Sequence, residues 1–520
     1  MSAIVTDQFR ILNAGNFVDS VKDSNNSYYI FLGLPNPTAV GFGRSSTWDE
    51  AIPTPIDNFN YLNHSRDTIL FGKKITTGNI RRLIRRVDWT KNTIYELYRH
   101  DYSVSNPSRK TNSYRLYDAN YYVVNSDYRV YLCIDNGSSS ANRLGNPSQD
   151  EPKFVDLEPS RAGESGDGYV WKYLFTVSPS DIIKFDSIEY ISVPIDWDTT
   201  TDPDISAIRN SADSSVNTNQ IKKVYIESAG SGYTQSTSEL DIIGDGEGAK
   251  VIVDVVGGRI NDVIVSSGGK NYTYGRVDLS SINQSATSFA HLIPIIPPSK
   301  GHGYDIYNEL GCERVLLYAR FDDSTKDFPT DAKFAQIGIL KNPNIAGSSS
   351  SIFSGDTFSG VHAIKLLSNS VSYPDDAIPG NPIYQTISGV GTAIGYIASF
   401  DQQTNVLKYF TDRSLYYNSL SYDQKDSKDV AFKSKAVGFS TIGGVITSSN
   451  SFSGSIDINF SGITTDLTST KSVNLGSTFI NGMSQPEINK SSGDVIYLDN
   501  RPLVTRSPRQ KEDIKIVLEF

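Results

Sequence analysis

The chain has 520 residues, enough for roughly three or four domains of ordinary size, and its 38% hydrophobic and 20% charged content fits a soluble globular protein with long polar connections. The net charge of −10 argues against a dedicated nucleic-acid binder, for which a basic footprint is expected, and no apolar run approaches the ~20 residues that span a bilayer. Two widely separated cysteines, Cys133 and Cys312, exclude a disulfide scaffold and all but exclude a cysteine zinc site; they suit assembly in a reducing cytoplasm.

The first residues, MSAIVTDQFR, have neither a basic n-region nor an apolar h-region, so no signal peptide is expected. With 30 tyrosines and abundant Ser, Asn, Asp, Thr and Gly, the composition favours strands and turns over helices. Residues 1 to 52 read as extended, with Tyr28 to Leu32 a candidate buried strand. Thr54-Pro55-Ile56-Asp57 predicts a helix start with Thr54 as N-cap, continued by Phe59 and Leu62. Ile80, Leu83, Ile84 and Val87 follow i, i+3, i+4, i+7, with Arg81, Arg82, Arg85 and Arg86 opposite. That spacing predicts a short amphipathic helix with a basic face. The face is either a partner contact or simply solvated.

Tyr114 to Asn125 and Tyr128 to Asp135 predict a hairpin turning at Ser126-Asp127. A polar loop follows from 136 to 168. GDGYVWKYLF, Gly166 to Phe175, is the most distinctive stretch. Tyr169, Trp171, Tyr173 and Phe175 alternate and predict one aromatic face of a strand, with Val170, Lys172 and Leu174 on the other. A strand apolar on both faces is expected at the centre of a sheet. Ser180 is a candidate cap for a helical turn, and Tyr190 to Pro194 for a strand.

Residues 204 to 290 carry a repeat at a 39-residue offset: VYIESAGSGYT (Val224 to Thr234) and VIVSSGGKNYT (Val263 to Thr273). The glycine-rich units predict a small all-β module similar to those of phage tail and adhesin proteins. Strand chemistry returns in Val315 to Phe321 and Phe334 to Pro343. Residues 346 to 474 predict another β module, with strands Ile394 to Phe400 and Val406 to Phe410 joined by DQQTN. The last eight residues alternate about Ile514, Ile516 and Leu518, as a closing edge strand would.

Site chemistry is sparse. His64, His100, His291, His302 and His362 lack partners at metal-ligand spacing. His302, between two glycines, looks the most exposed. Asp322, Asp323, Asp327 and Asp331 miss the EF-hand spacing and its central glycine. Gly244 to Gly248 lacks the Lys-Ser/Thr of a phosphate loop. Neither a catalytic nor a metal nor a cofactor-binding set is expected, so the chain is read as a non-enzyme.

Three blocks in order carry a resemblance. Arg85 to Trp89 with GDGYVWKYLF, then FAQIGILKNPNIA (Phe334 to Ala346), then GDVIYLDNRPLV with EDIKIVLEF, resemble the T4-like phage baseplate wedge family known as gene product eight. The resemblance covers about 1–203, 291–345 and 475–520. It leaves 204–290 and 346–474 as two inserted small β modules in an enlarged member. It implies a mostly β protein of antiparallel, sandwich-like domains with long loops and few short helices. It further implies a homodimer within each wedge of a contractile-tail baseplate, virion localisation after assembly in the host cytoplasm, and no catalytic residues. The expected role is bridging neighbouring wedge proteins and passing on the contraction trigger, with no nucleic-acid or membrane partner. Gly168, Tyr169, Trp171, Tyr173, Asn500 and Arg501 are its structural hallmarks in this chain, and Arg81, Arg82, Arg85 and Arg86 its candidate partner contacts. The second reading is a carbohydrate-binding or depolymerising tail receptor protein, with glycan contact by the 204–290 module.

Overall fold

Antiparallel strands dominate the chain, as its β-branched and aromatic composition predicts. A computed structural model describes residues 5–34, 51–212, 220–282, 287–322, 333–387, 389–411, 444–448, 450–505 and 510–520. They fall into two compact units. One comprises residues 1–18, 80–316 and 517–520, the other 19–79 and 317–516.

In the first unit, Tyr122–Val124, Arg129–Asn136 and Tyr169–Thr176 form a three-stranded sheet in that order. The expected hairpin is present. Its turn is closed by Asn125, whose Oδ1 accepts from the amides of Asp127 and Arg129 at 2.9 Å each. Tyr114 to Tyr121 do not join the strand, and a short 3-10 turn, Leu116–Asp118, interrupts them.

A second sheet orders Lys511–Glu519, Arg314–Asp322, Ile80–Arg85 and Tyr190–Ser192. The stretch predicted as a basic helix is therefore a strand, paired Leu83↔Ser192, Ile84↔Ile191 and Arg85↔Tyr190. Four apolar residues are too few to separate the two periods, and two of the three that enter the strand, Ile80 and Ile84, are β-branched. Pairing with a neighbouring strand decides such ambiguous segments. The C-terminal strand lies at the sheet edge as predicted, with Ile514 and Ile516 buried.

Within the first unit, Arg259–Lys270, Glu247–Val256, Leu240–Gly244 and Gly275–Val277 form a four-stranded sheet, and Val224–Ser228 pairs with His291–Pro294. Val224, Tyr233, Leu240, Val251, Ile260 and Tyr272 belong to one apolar cluster. The repeated tyrosines are buried. Tyr233 Oη accepts from Ala290 N (2.7 Å), and Tyr272 Oη donates to Ile242 O (3.0 Å).

The second unit has a five-stranded sheet ordered Thr357–Ser359, Ile69–Lys74, Tyr28–Gly33, Lys333–Lys341 and Asp494–Thr505. A seven-stranded sheet contains the predicted hairpin of Gly391–Asp401 and Val406–Phe410. Its turn is held by Thr404 Oγ1 donating to Asp401 Oδ2 at 2.6 Å.

Helices depart most from expectation. The chain opens with Asp7–Lys22, a 16-residue helix, not an extended segment. Ile11, Ala14, Val18 and Val21 are its buried stripe, a 3-4-3 spacing that is helical. The next helix, Phe59–Asp67, starts five residues after the predicted cap. Asn58 is the N-cap, its side chain accepting from Tyr61 N at 2.8 Å.

His362, on strand His362–Lys365, stacks on Tyr409 with ring centroids 5.0 Å apart. Burial, reinforced by the charge of Lys490, lowers its pKa to about 4. The folded chain thus holds this proton less tightly than the unfolded chain, where an ordinary His titrates near 6.5. The stability it contributes is complete above that value and is lost as pH falls toward 4. Urea unfolding between pH 7 and 4 should show a loss of about 2–3 kcal/mol from this group. The loss should be smaller in His362→Phe.

Candidate functional site

The distinctive stretch is strand Tyr169–Thr176, and the structure places it at the edge of its sheet rather than the centre. The edge is nonetheless covered. Ser160 in the preceding loop exchanges two backbone bonds with Trp171, both 2.9 Å. A loop laid on an edge blocks further strand addition there.

The expected four-aromatic face is split by a bulge. Val130 faces Phe175, but the next residue, Tyr131, faces Tyr173, so Leu174 is an extra residue in the ladder. Tyr169, Trp171 and Tyr173 stay on one side. Phe175 turns to the side of Lys172, where its ring lies 6.2 Å from Trp197. On the first side Tyr169 stacks on Trp171 at 5.1 Å, and Tyr95 meets Trp171 edge-on at 5.8 Å. Tyr173 packs on Tyr131 at 5.7 Å and is half-buried.

These tyrosines also bind the loops. Tyr169 Oη donates to Asn146 O at 2.7 Å and accepts from Tyr95 N at 2.9 Å. Tyr131 Oη donates to Phe154 O at 2.6 Å, Tyr121 Oη to Glu309 O at 2.7 Å, and Tyr122 Oη to Arg85 O at 2.9 Å. Burial pushes the hydroxyls of Tyr121, Tyr122 and Tyr169 well up, so they stay protonated donors. Glu96, equally missed by sequence reasoning, is a buried carboxylate that accepts from Asn120 N (2.6 Å), Thr111 Oγ1 (2.8 Å) and Thr111 N (3.2 Å). Its position in YELYRHDY gives no local sign of this, because its donors lie 15 and 24 residues away.

Gly168 opens the strand with φ +87°, where a side chain is strained, and an added Cβ would lie 2.7 Å from Gly137 Cα. Asn500 is a buried hub of the second unit. It accepts from Gln336 Nε2 at 2.9 Å and donates to Pro53 O at 2.8 Å and to Tyr61 Oη at 2.7 Å. Its neighbour Arg501 is exposed and pairs with Asp499 at 2.6 Å. Of the hallmark residues, Gly168, Tyr169, Trp171 and Tyr173 belong to the first unit and Asn500 and Arg501 to the second.

The four arginines have internal partners. Arg81 pairs with Asp181 at 3.0 Å, and Arg82 lies 3.8 Å over the ring of Tyr307. Arg85 donates to Ala119 O (2.9 Å) and Tyr117 O (3.1 Å), and Arg86 pairs with Asp88 at 2.9 Å. They do not form the one-sided basic surface that a helix would have made.

His302 is half-buried rather than exposed, its Nδ1 2.5 Å from Glu309 Oε1. His100 Nδ1 accepts from Ile296 N at 3.1 Å. Among the described residues no group of three His, Cys, Asp or Glu could hold a metal. Both thiols are buried, which pushes their pKa values up. Asp322 pairs with Lys511 at 2.9 Å, while Asp323, Asp327 and Asp331 lie outside the described residues. Asp245, in the glycine-rich turn, accepts from Thr273 N at 2.9 Å and Tyr274 N at 3.2 Å. The Asp245 side chain thereby ties this turn to the segment that follows Lys270.

What this arrangement can do is hold shape: a layered aromatic core pinning long loops. Comparison with known proteins finds similarity to a phage baseplate protein. Residues 156–231, which contain the Ser160–Trp171 bridge and the whole central strand, match the family described as Bacteriophage T4, Gp8. A curated relative, the "Baseplate wedge protein gp8" of Enterobacteria phage T4, is 27% identical over 232 residues, 39% of this chain and 63% of the relative. The chain thus spans less than two thirds of the relative it matches. The family resemblance read from the sequence blocks is borne out, in a longer chain that is mostly β.

Trp171 is fully buried, so Trp171→Ala should cost about 3–5 kcal/mol in chemical denaturation. Gly168→Ala should cost about 1–3 kcal/mol from backbone strain alone. A near-neutral result for Trp171→Ala would mean that the aromatic face is not the core of this unit.

Proposed function

We propose that this chain is a structural subunit of a phage contractile-tail baseplate wedge. The observation that carries the reading is the match of 156–231 to the Gp8 family, because that segment supplies the central strand of the first unit's core. In this reading the protein bridges neighbouring wedge proteins and helps pass the contraction trigger inward, working as a homodimer without catalysis. A rigid core with pinned loops suits that task, since force is transmitted through packed elements and not through mobile connections. The family match runs to residue 231, so the part of 204–290 beyond it, together with 346–474, is proposed as inserted and as adapting the wedge contacts of this member. We assign Arg81, Arg82, Arg85 and Arg86 a positioning role within the first unit, since a partner would have to displace their internal bonds. The glycan reading loses its motive where the repeat tyrosines, Tyr233 and Tyr272, are core residues.

Light scattering of the purified full chain at micromolar concentration should give twice the chain mass. A clean monomer would remove the homodimer from the proposal. Pull-down with the other wedge proteins of the same phage should recover a stable complex, and its absence under conditions where those proteins assemble with each other would overturn the wedge role itself.

A further inference from the structure

The GHGYD loop, Gly301 to Asp305, is not accounted for by the aromatic core. Gly301 and Gly303 both have φ +90°. A Cβ on Gly303 would lie 3.3 Å from Lys172 Cε and 3.2 Å from Ile208 Cγ2, so the loop closes directly on the stem of that lysine. The loop is fixed from the other side. Trp197 Nε1 donates to Gly303 O at 3.2 Å, Gly303 N donates to Glu309 Oε2 at 2.7 Å, and His302 Nδ1 meets Glu309 Oε1. The buried Glu309 carboxylate is thus occupied within the loop.

Lys172 is left in an unusual state. It stands on the central strand, only 5% exposed, and lines a pocket together with His302, Lys222, Glu158, Gln220 and Ser211. Its Nζ donates to Leu157 O at 2.8 Å. An ammonium has three donors, and among the described residues no carboxylate lies in ion-pair range of this one. Lysines are almost never fully buried unless paired. At the rim Lys222 Nζ is 2.8 Å from Gln220 Oε1 and 3.5 Å from Glu158 Oε2, and Glu158 is mostly exposed. Lys222 and Glu158 pair with each other at the rim, and the Glu309 carboxylate is held by His302 and Gly303 N, which leaves Lys172 with N–H donors to spare beside the pocket. The pocket encloses about 30 Å³, room for a group of a few atoms and not for a sugar ring or a nucleotide.

We propose that this pocket binds a single small oxyanion group, a carboxylate or a phosphate, with Lys172 as the buried cation and Lys222 at the rim. The source is either a free ion or an acidic side chain offered by a neighbouring protein; both would present the same oxygens. Burial lowers the pKa of Lys172 when the pocket is empty, and a bound anion would raise it again.

The test uses the purified full chain, titrated with sodium acetate and with inorganic phosphate at pH 7 against sodium chloride of matched ionic strength. Thermal unfolding reports binding as a saturable rise in Tm. The expected result is a saturable rise with at least one of the two anions. It should be weakened roughly tenfold in apparent affinity by Lys172→Met, retained in Lys172→Arg, and weakened less by Lys222→Gln, as charge-assisted bonds of a buried and a rim cation predict. Saturation by acetate alone assigns the site to a carboxylate, and saturation by phosphate alone to a free tetrahedral ion. Lys222→Gln alters a rim residue and keeps the test valid if Lys172→Met does not fold. No saturable response to either anion in the unaltered chain, or responses unchanged in the folded variants, would overturn the proposal.

Discussion

The interaction on which the first unit depends is the hydrogen bond from a buried tyrosine hydroxyl to a loop carbonyl. Tyr121, Tyr122, Tyr131 and Tyr169 each place a ring in the core and a hydroxyl on a backbone oxygen of a distant segment. A phenylalanine could fill the same space and leave each carbonyl unpaired, at a cost comparable to a lost buried hydrogen bond. Tyr307 repeats the pattern, donating to Pro194 O while accepting from Trp197 N. Long connections such as 136–168 are thereby held without secondary structure of their own. This accounts for a chain rich both in tyrosine and in polar loop residues.

The same constraint explains why the central strand can stand at a sheet edge. Its outer edge is paired by Ser160, and its two faces are filled by different partners because the bulge at Leu174 turns Phe175 away from Tyr173. One face joins Tyr95 and Tyr131, and the other joins Trp197 and the Gly301–Asp305 loop. Lys172, which alternation places on the face opposite Trp171, is the lysine that lines the charged pocket.

Much of the architecture was legible from the chain alone. The strands at Tyr28, Val315, Phe334 and Val406 announce themselves by β-branched and aromatic runs between turn formers, and the edge position of the last strand by its strict alternation. The helix Asp7–Lys22 escapes a local reading, because Phe9, Leu12 and Phe17 place apolar residues on other faces and blur the stripe of Ile11, Ala14, Val18 and Val21. The Ile80–Arg85 strand was not legible either, because six residues satisfy both periods until a partner strand is known. At the candidate site, the importance of Gly168, Tyr169 and Trp171 could be read from GDGYVWKYLF. The partners of those residues could not, since Tyr95, Asn146 and Ser160 come from loops whose course no local pattern encodes. Nor could the partial burial of His302, which flanking glycines suggest is exposed and which pairs with Glu309.

A baseplate role asks for a rigid body, and the chain has the parts: a family-matched aromatic core, and a second unit with its own buried polar hub at Asn500. The most direct measurement is a cryo-EM map of the intact tail of the phage that encodes this chain. The account predicts density for this fold within each baseplate wedge, with the Tyr169–Thr176 strand buried in its own subunit. Density for the chain at a receptor-binding tip, or a baseplate fully traced without it, would contradict the account.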